Sequence, residues 1–179
     1  MADGLVAQVW SGRLIYFLCA GFLLFLSLVP LGFTPRFLPR PDLLLGLTFA
    51  FMLRRPDFTP FWLIAIIFLL SDILLAQPVG LWTAIMVVTA EFVRTQEYRF
   101  RELAFPLEWL FVTGTIFLAL LANRIILSMS MVPVAGFGSV MLHFIVTVIA
   151  YPVVVFLCFF LLRIRKITPD EAIRYGHRL

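Results

Sequence analysis

The sequence has few residues of the kinds that carry chemistry. Charged residues make up 13% of its 179 residues, and it contains two histidines and two cysteines. It has no H-E-x-x-H, G-x-S-x-G or Walker A motif, and its cysteines and histidines lack the spacing of metal ligands. His143 and His177 lie towards opposite ends of the last apolar run, so they cannot act together. The sequence therefore predicts no enzyme, no metal site and no cofactor site.

Both cysteines, Cys19 and Cys158, lie inside apolar runs, which predicts small apolar side chains and no disulfide framework. Apolar residues make up 63% of the chain, and its mean hydropathy is +1.06. Soluble globular domains contain roughly 45–50% apolar residues, so this composition predicts an integral membrane protein. We predict one transmembrane domain over residues 1–163 and a cytoplasmic tail over residues 164–179, with a short helix after Thr168.

Six apolar stretches are candidate membrane-spanning helices, separated by short turns. The second and fourth are short, and the second covers only about 18 Å of a hydrocarbon core that is ~30 Å thick. Six crossings is the favoured arrangement, and four full spans with two half-spans is the alternative. The predicted fold is an all-α integral membrane bundle of six helices, over residues 14–33, 42–53, 58–76, 79–93, 103–127 and 134–162.

The positive charges predict the orientation, because Lys and Arg concentrate on the cytoplasmic side of membrane proteins. With both termini inside, only Arg36 and Arg40 fall in outer loops, and Arg124 lies near the outer end of the fifth span. This topology accounts for the arginines without nucleic-acid binding. The cytoplasmic side receives Arg13, Arg54, Arg55, Arg94, Arg99, Arg101, Arg163, Arg165, Lys166, Arg174 and Arg178.

Charged residues inside the spans are candidate functional residues, because a charge near the bilayer centre is costly. The centre of every predicted span carries none. Glu91 and Glu108 lie near span ends, where we interpret them as interfacial residues that pair with an arginine or suit the helix dipole. Asp42 is predicted to cap the second helix, whereas Asp72 lies about one turn inside the third span and needs a partner such as an arginine.

Six polar residues of the predicted outer half form the candidate site. His143 lies at a depth similar to that of Asp72, and a lone membrane histidine is more often hydrogen-bonded inside the bundle than a ligand. We hypothesise one outward-facing cluster that either locks the helices together or contacts the membrane-proximal segment of a partner. The cluster consists of Asp42, Asp72, Arg36, Arg40, Arg124 and His143.

The segment from Pro41 to Arg94 resembles one family in its organisation. Pro41 and Asp42 begin a leucine-rich helix, a basic turn follows, the next helix carries Asp72, and a Pro-x-Gly turn leads into another helix. This pattern resembles the bacterial rod shape-determining MreD family, whose fold is similar to the S components of energy-coupling-factor vitamin transporters. A glycine that the resemblance implies shortly before the aspartate is absent, since bulky residues occupy positions 66–70.

The resemblance implies a non-enzymatic, multi-pass protein of the bacterial inner (cytoplasmic) membrane that maintains rod cell shape without a cofactor. It implies direct binding to the single-pass protein MreC. It also implies membership of the elongation complex of peptidoglycan synthesis, together with MreB, RodA and a class B penicillin-binding protein. We expect MreC to pack near the outer ends of the second, third and sixth spans, with membrane lipid around the remaining surface.

A vitamin-transporter S component is the alternative function, since it would share the fold. S components carry small residues at four-residue spacing in their first helix, and this face docks on the transporter's scaffold subunit. Here Ala20 is followed four residues later by Leu24, so that docking face is missing. The short outer loops also predict no vitamin pocket. We therefore favour the scaffold, with the S component and other membrane assembly factors as alternatives.

Overall fold

The computed structural model describes the backbone of residues 2–29, 41–100, 105–129 and 136–161. Within these ranges the chain is all-helical and has no β-strand. The predicted tail helix, Arg36 and Arg40 lie outside the described residues. The elements are α1 (Ala2–Leu28), α2 (Leu43–Arg54), a 3-10 turn (Pro56–Phe58), α3 (Phe61–Leu74), α4 (Leu81–Phe100), α5 (Phe105–Met129) and α6 (Phe137–Leu161).

Each α-helix corresponds to one predicted span, and three are long and apolar enough to cross a membrane. These three are Ala7–Leu28 within α1, the whole of α5, and Phe137–Cys158 within α6. They mark the chain as a membrane protein. α1 begins at Ala2, earlier than the predicted residue 14, because the helical backbone continues through polar residues that a search for apolar runs leaves out.

The prediction of two short helices is confirmed, but the short pair is α2 and α3, with 12 and 14 residues. At about 1.5 Å per residue these helices are about 18 and 21 Å long, less than the ~30 Å hydrocarbon core. The prediction that the fourth helix is short is wrong, since α4 has 20 residues. Its apolar pattern ends at Val93, but the helix continues through polar residues to Phe100.

The short helix α2 lies at the centre of the bundle. Every residue from Leu44 to Arg54 is buried, so α2 has no lipid-facing side. It packs against α1, α4 and α6, most extensively against α6. A helix this short is marginal alone and gains its stability from packing. The contacts of α2 with α1, α4 and α6 therefore hold it in the core position that it occupies.

α1 approaches the 3-10 turn most closely at Gly12. A Cβ added to Gly12 would overlap the ring of Phe58. The neighbouring residue Arg13 fixes the same approach, because its Nε–H donates a hydrogen bond to Asp57 O at 3.2 Å. This contact sets how α1 docks on the turn that follows α2.

We expect Gly12→Ala to destabilise the protein by about 1–3 kcal/mol, the usual cost of overpacking. Phe58→Leu in the same chain should restore part of this loss, because it removes the ring. Gly21→Ala is the matched control, since a Cβ at Gly21 would have no neighbouring heavy atom within 4 Å. The free energy of unfolding of all three variants can be measured by SDS titration in mixed micelles, with circular dichroism as the signal. Equal stability of the two alanine variants would contradict the close contact.

Candidate functional site

The α-helices converge on a cavity of about 510 Å³, which we call the end cavity. It lies where α1, α3 and α5 end and where α2, α4 and α6 begin, so successive helices run in opposite directions. Leucine side chains form much of its lining. Its polar lining includes Asp42, Gln77, Asn123, Arg124, Ser139 and His143.

The end cavity brings together three of the six predicted site residues, Asp42, Arg124 and His143. Asp42 and His143 interact electrostatically, and the Arg124 guanidinium lies 5.6 Å from the centre of the Phe137 ring. Asp72 does not line the cavity. Arg36 and Arg40 lie outside the described residues, so their place in the cluster stays a prediction.

Asp42 caps α2, as the sequence predicts. Its Oδ1 accepts a hydrogen bond from Leu45 N at 3.0 Å. Its own backbone N–H donates to Thr147 Oγ1 at 3.1 Å, which ties the beginning of α2 to α6. The residue therefore begins the central helix, fixes it to a neighbour, and places a carboxylate at the border of the end cavity.

Asp72 has different partners from those expected. Its side chain is completely buried, and Oδ2 accepts hydrogen bonds from Gly80 N at 2.9 Å, Thr83 N at 3.3 Å and Thr83 Oγ1 at 2.9 Å. We expected an arginine as the partner of Asp72. The structure instead shows that N–H groups at the start of α4 donate to its carboxylate. The other oxygen, Oδ1, has no hydrogen-bond partner among the described residues. Asp72 joins α3 to α4 and presents no surface to another protein.

The turn between α3 and α4 places these donors over Asp72. Gly80 has φ of +85°, in the left-handed region that glycine adopts without strain. Gln77 N donates to Asp72 O at 2.9 Å, so the backbone of the aspartate holds the turn as well. The Gln-Pro-Val-Gly sequence therefore produces a tight reversal that points the N-terminus of α4 at the buried carboxylate.

A buried charged cluster, missed by the sequence analysis, lies at the other end of α2. Arg54 Nη1 lies 2.9 Å from Glu108 Oε1, and Tyr151 OH donates to the same oxygen at 3.1 Å. The Arg54 and Glu108 side chains are only 8% and 1% exposed. Glu108 thus pairs with an arginine, as interpreted, but its side chain is buried inside the bundle, whereas its neighbours Leu107 and Trp109 are exposed. The cluster joins α2, α5 and α6.

The sequence does contain a signal for part of this cluster. α2 is too short to reach both membrane surfaces, so the arginine at its end stays inside the protein and needs an acidic partner. Glu108, in the first turn of α5, lies at the same end of the bundle in an alternating topology. Tyr151 could not be assigned to this cluster from the sequence, because a tyrosine in an apolar helix can face the bundle interior or the outer surface.

Other buried polar groups also connect helices. Tyr16 OH and Thr48 Oγ1 lie 3.0 Å apart and link α1 to α2. Arg94 Nη2 donates to Thr59 O at 2.6 Å, which links α4 to the loop that precedes α3. Within the described ranges, no group of three His, Cys, Asp or Glu residues is placed to hold a metal ion.

No family model, curated protein or solved structure matches the chain. The likeness to the MreD family, the likeness to the S-component fold, and the partners that they imply stay predictions from the segment Pro41 to Arg94. The functional argument therefore rests on that segment and on the geometry described above.

Proposed function

We propose that this protein is a non-catalytic scaffold of the bacterial inner membrane, of the MreD type. In this role it binds MreC and links it to MreB, RodA and a class B penicillin-binding protein, and so helps to maintain rod cell shape. One observation carries the proposal: the buried polar groups form hydrogen bonds and an ion pair within the chain, and these bonds connect the helices.

The bonds at the two ends of α2 illustrate this use. The backbone of Asp42 is tied to Thr147 of α6 at one end, and Arg54 is tied to Glu108 of α5 at the other. A protein built in this way acts through the shape of its outer surface. Association of helices in lipid depends on van der Waals packing and occasional polar pairs, so a rigid bundle with a bulky apolar surface suits a scaffold.

The end cavity favours a second candidate function, the S component of a vitamin transporter. Its volume of about 510 Å³ lies within the roughly 300–1,000 Å³ of small-molecule sites, although the short loops predicted no pocket. The surface of α1 argues against this function. Ala20 and Leu24 face the interior, whereas Phe17, Phe22 and Phe25 are exposed where a transporter subunit would need small residues.

Affinity purification of the full chain from bacterial membranes in mild detergent separates the two functions. We expect proteins of the MreC and MreB types to co-purify with it. Recovery of a transporter ATPase in their place would overturn the scaffold and support the S component. Recovery of neither class in a host that expresses both would contradict both candidates.

Crosslinking tests where MreC binds. A photoreactive residue at Val79, in the exposed turn after α3, or at Leu142 on α6 should capture MreC. Asp72 is unsuitable because it is buried. The control sites are Trp10 on α1 and Leu110 on α5, which are also exposed but lie towards the Arg54 end of the bundle. Capture from the control sites alone would overturn the proposed contact zone.

A further inference from the structure

The end cavity combines an apolar interior with a guanidinium group and an imidazole group. Leucines from α1, α2 and α5 line it, among them Leu24, Leu44 and Leu120, together with Leu75 just after α3. Arg124 from α5 and His143 from α6 line the same space. A guanidinium group binds phosphate through two parallel hydrogen bonds, and leucine side chains accommodate hydrocarbon. The lining is therefore complementary to a molecule with an anionic head and an apolar chain.

The surroundings of Arg124 strengthen this complementarity. Its guanidinium lies over the ring of Phe137, the first residue of α6, at 5.6 Å from the ring centre, so it is held close to the helix that also carries His143. Asp42 contributes a negative charge to the same lining. The N-terminus of α2 offsets that charge, because the carboxylate accepts a hydrogen bond from Leu45 N.

The helices around α2 leave one side without close packing. Extended contacts join α1 to α3, α3 to α4, α4 to α5, and α5 to α6. Between α6 and α1, no comparable packing occurs in the part of the chain that the structure describes. Ser27 of α1 lines one side of the end cavity, and Ser139 of α6 lines the other. Both helices that flank this unpacked side therefore contribute to the lining of the cavity.

We propose that the end cavity binds one membrane phospholipid, with its phosphate at Arg124 and His143 and the upper part of an acyl chain among the leucines. The apolar lining and the unpacked side between α1 and α6 favour a lipid over a water-soluble ligand. The end cavity lies at the same end of the bundle as the proposed MreC contact, but the argument for lipid uses only the residues that line the cavity, so this inference does not rest on the proposed function.

Native mass spectrometry tests the site. The full chain is placed in nanodiscs that contain phosphatidylglycerol and phosphatidylethanolamine of known mass, and it is then released into mild detergent. We expect one phospholipid to stay bound to most chains. Arg124→Gln should lower the bound fraction about tenfold, as expected for the loss of one charge-assisted contact. Ser139→Trp should have a similar effect, because it fills the cavity from an exposed position on α6.

Arg55→Gln is the matched control, since this arginine lies at the far end of α2, next to the 3-10 turn. It should leave lipid retention unchanged, and circular dichroism shows whether each variant is folded. If Arg124→Gln does not fold, lipid retention by Ser139→Trp decides the outcome. Equal loss in the control would identify unspecific surface lipid and overturn the site. Unchanged retention in both cavity variants, or a bound species with the mass of a soluble ligand, would overturn it as well.

Discussion

Glu108→Ala is expected to destabilise the isolated protein by about 3–5 kcal/mol, the cost of removing one partner from a buried ion pair. The substitution leaves Arg54 charged, 8% exposed, and without the carboxylate that lies 2.9 Å from it. It also removes the acceptor of the Tyr151 hydroxyl. Unfolding of the purified protein by SDS in mixed micelles measures the loss.

The triple variant Arg54→Met, Glu108→Leu and Tyr151→Phe measures the net contribution of the ion pair to stability. Glu108→Ala, by contrast, measures the cost of leaving one charge without its partner. Apolar side chains of similar size often replace a buried ion pair with little loss, because no charge is left without a partner. We expect this variant to lie within about 2 kcal/mol of the natural protein. It would retain the packing between α2, α5 and α6.

Glu91→Ala is the matched control for the buried pair. Glu91 forms an ion pair with Arg94 at 3.3 Å, but these side chains are 49% and 29% exposed. Its loss should therefore cost less than about 0.5 kcal/mol, as is usual for surface pairs. Equal effects of Glu108→Ala and Glu91→Ala would show that the Glu108 carboxylate is not buried as described.

The positions of the helices could be predicted from the sequence, because apolar runs and proline-containing turns act locally. The ends of the helices could not be predicted as well. α1 and α4 continue into polar sequence, where helix propensity and not hydropathy decides the end. The central place of α2 could not be predicted in this way, since α3 is also short and apolar but exposes Ile66 and Ile73.

The candidate site was predictable only in part, because the depth of a polar residue in a predicted span does not identify the group that it bonds to. Depth correctly placed Asp42, Arg124 and His143 at one end of the bundle, where they line the end cavity. Depth also suggested that Asp72 needed a partner, but an arginine was the wrong choice. The donors come from a turn whose exact reversal depends on Gly80, and the sequence search for charges does not count backbone N–H groups.

Asp72→Ala is expected to destabilise the protein by about 2–3 kcal/mol, because it removes the acceptor of three buried or part-buried hydrogen bonds. The N–H groups of Gly80 and Thr83 would then lack the acceptor that they now share. The loss should be confined to the junction of α3 and α4. Hydrogen exchange at the first amides of α4, measured by mass spectrometry on the purified protein, should become faster than at the first amides of α6.

Asp72→Asn is the matched control, since an amide oxygen in the place of Oδ2 keeps all the hydrogen bonds without the charge. It should cost about 1 kcal/mol or less. Thr83→Val, which removes only the hydroxyl donor, should cost a similar amount. The alternative role of Asp72, contact with a partner, predicts the opposite pattern. In that case Asp72→Ala would leave the isolated protein as stable as before and abolish only the co-purification of MreC. Because the carboxylate is completely buried and its bonds lie within the chain, we expect the loss of stability to come first and any loss of binding to follow from it.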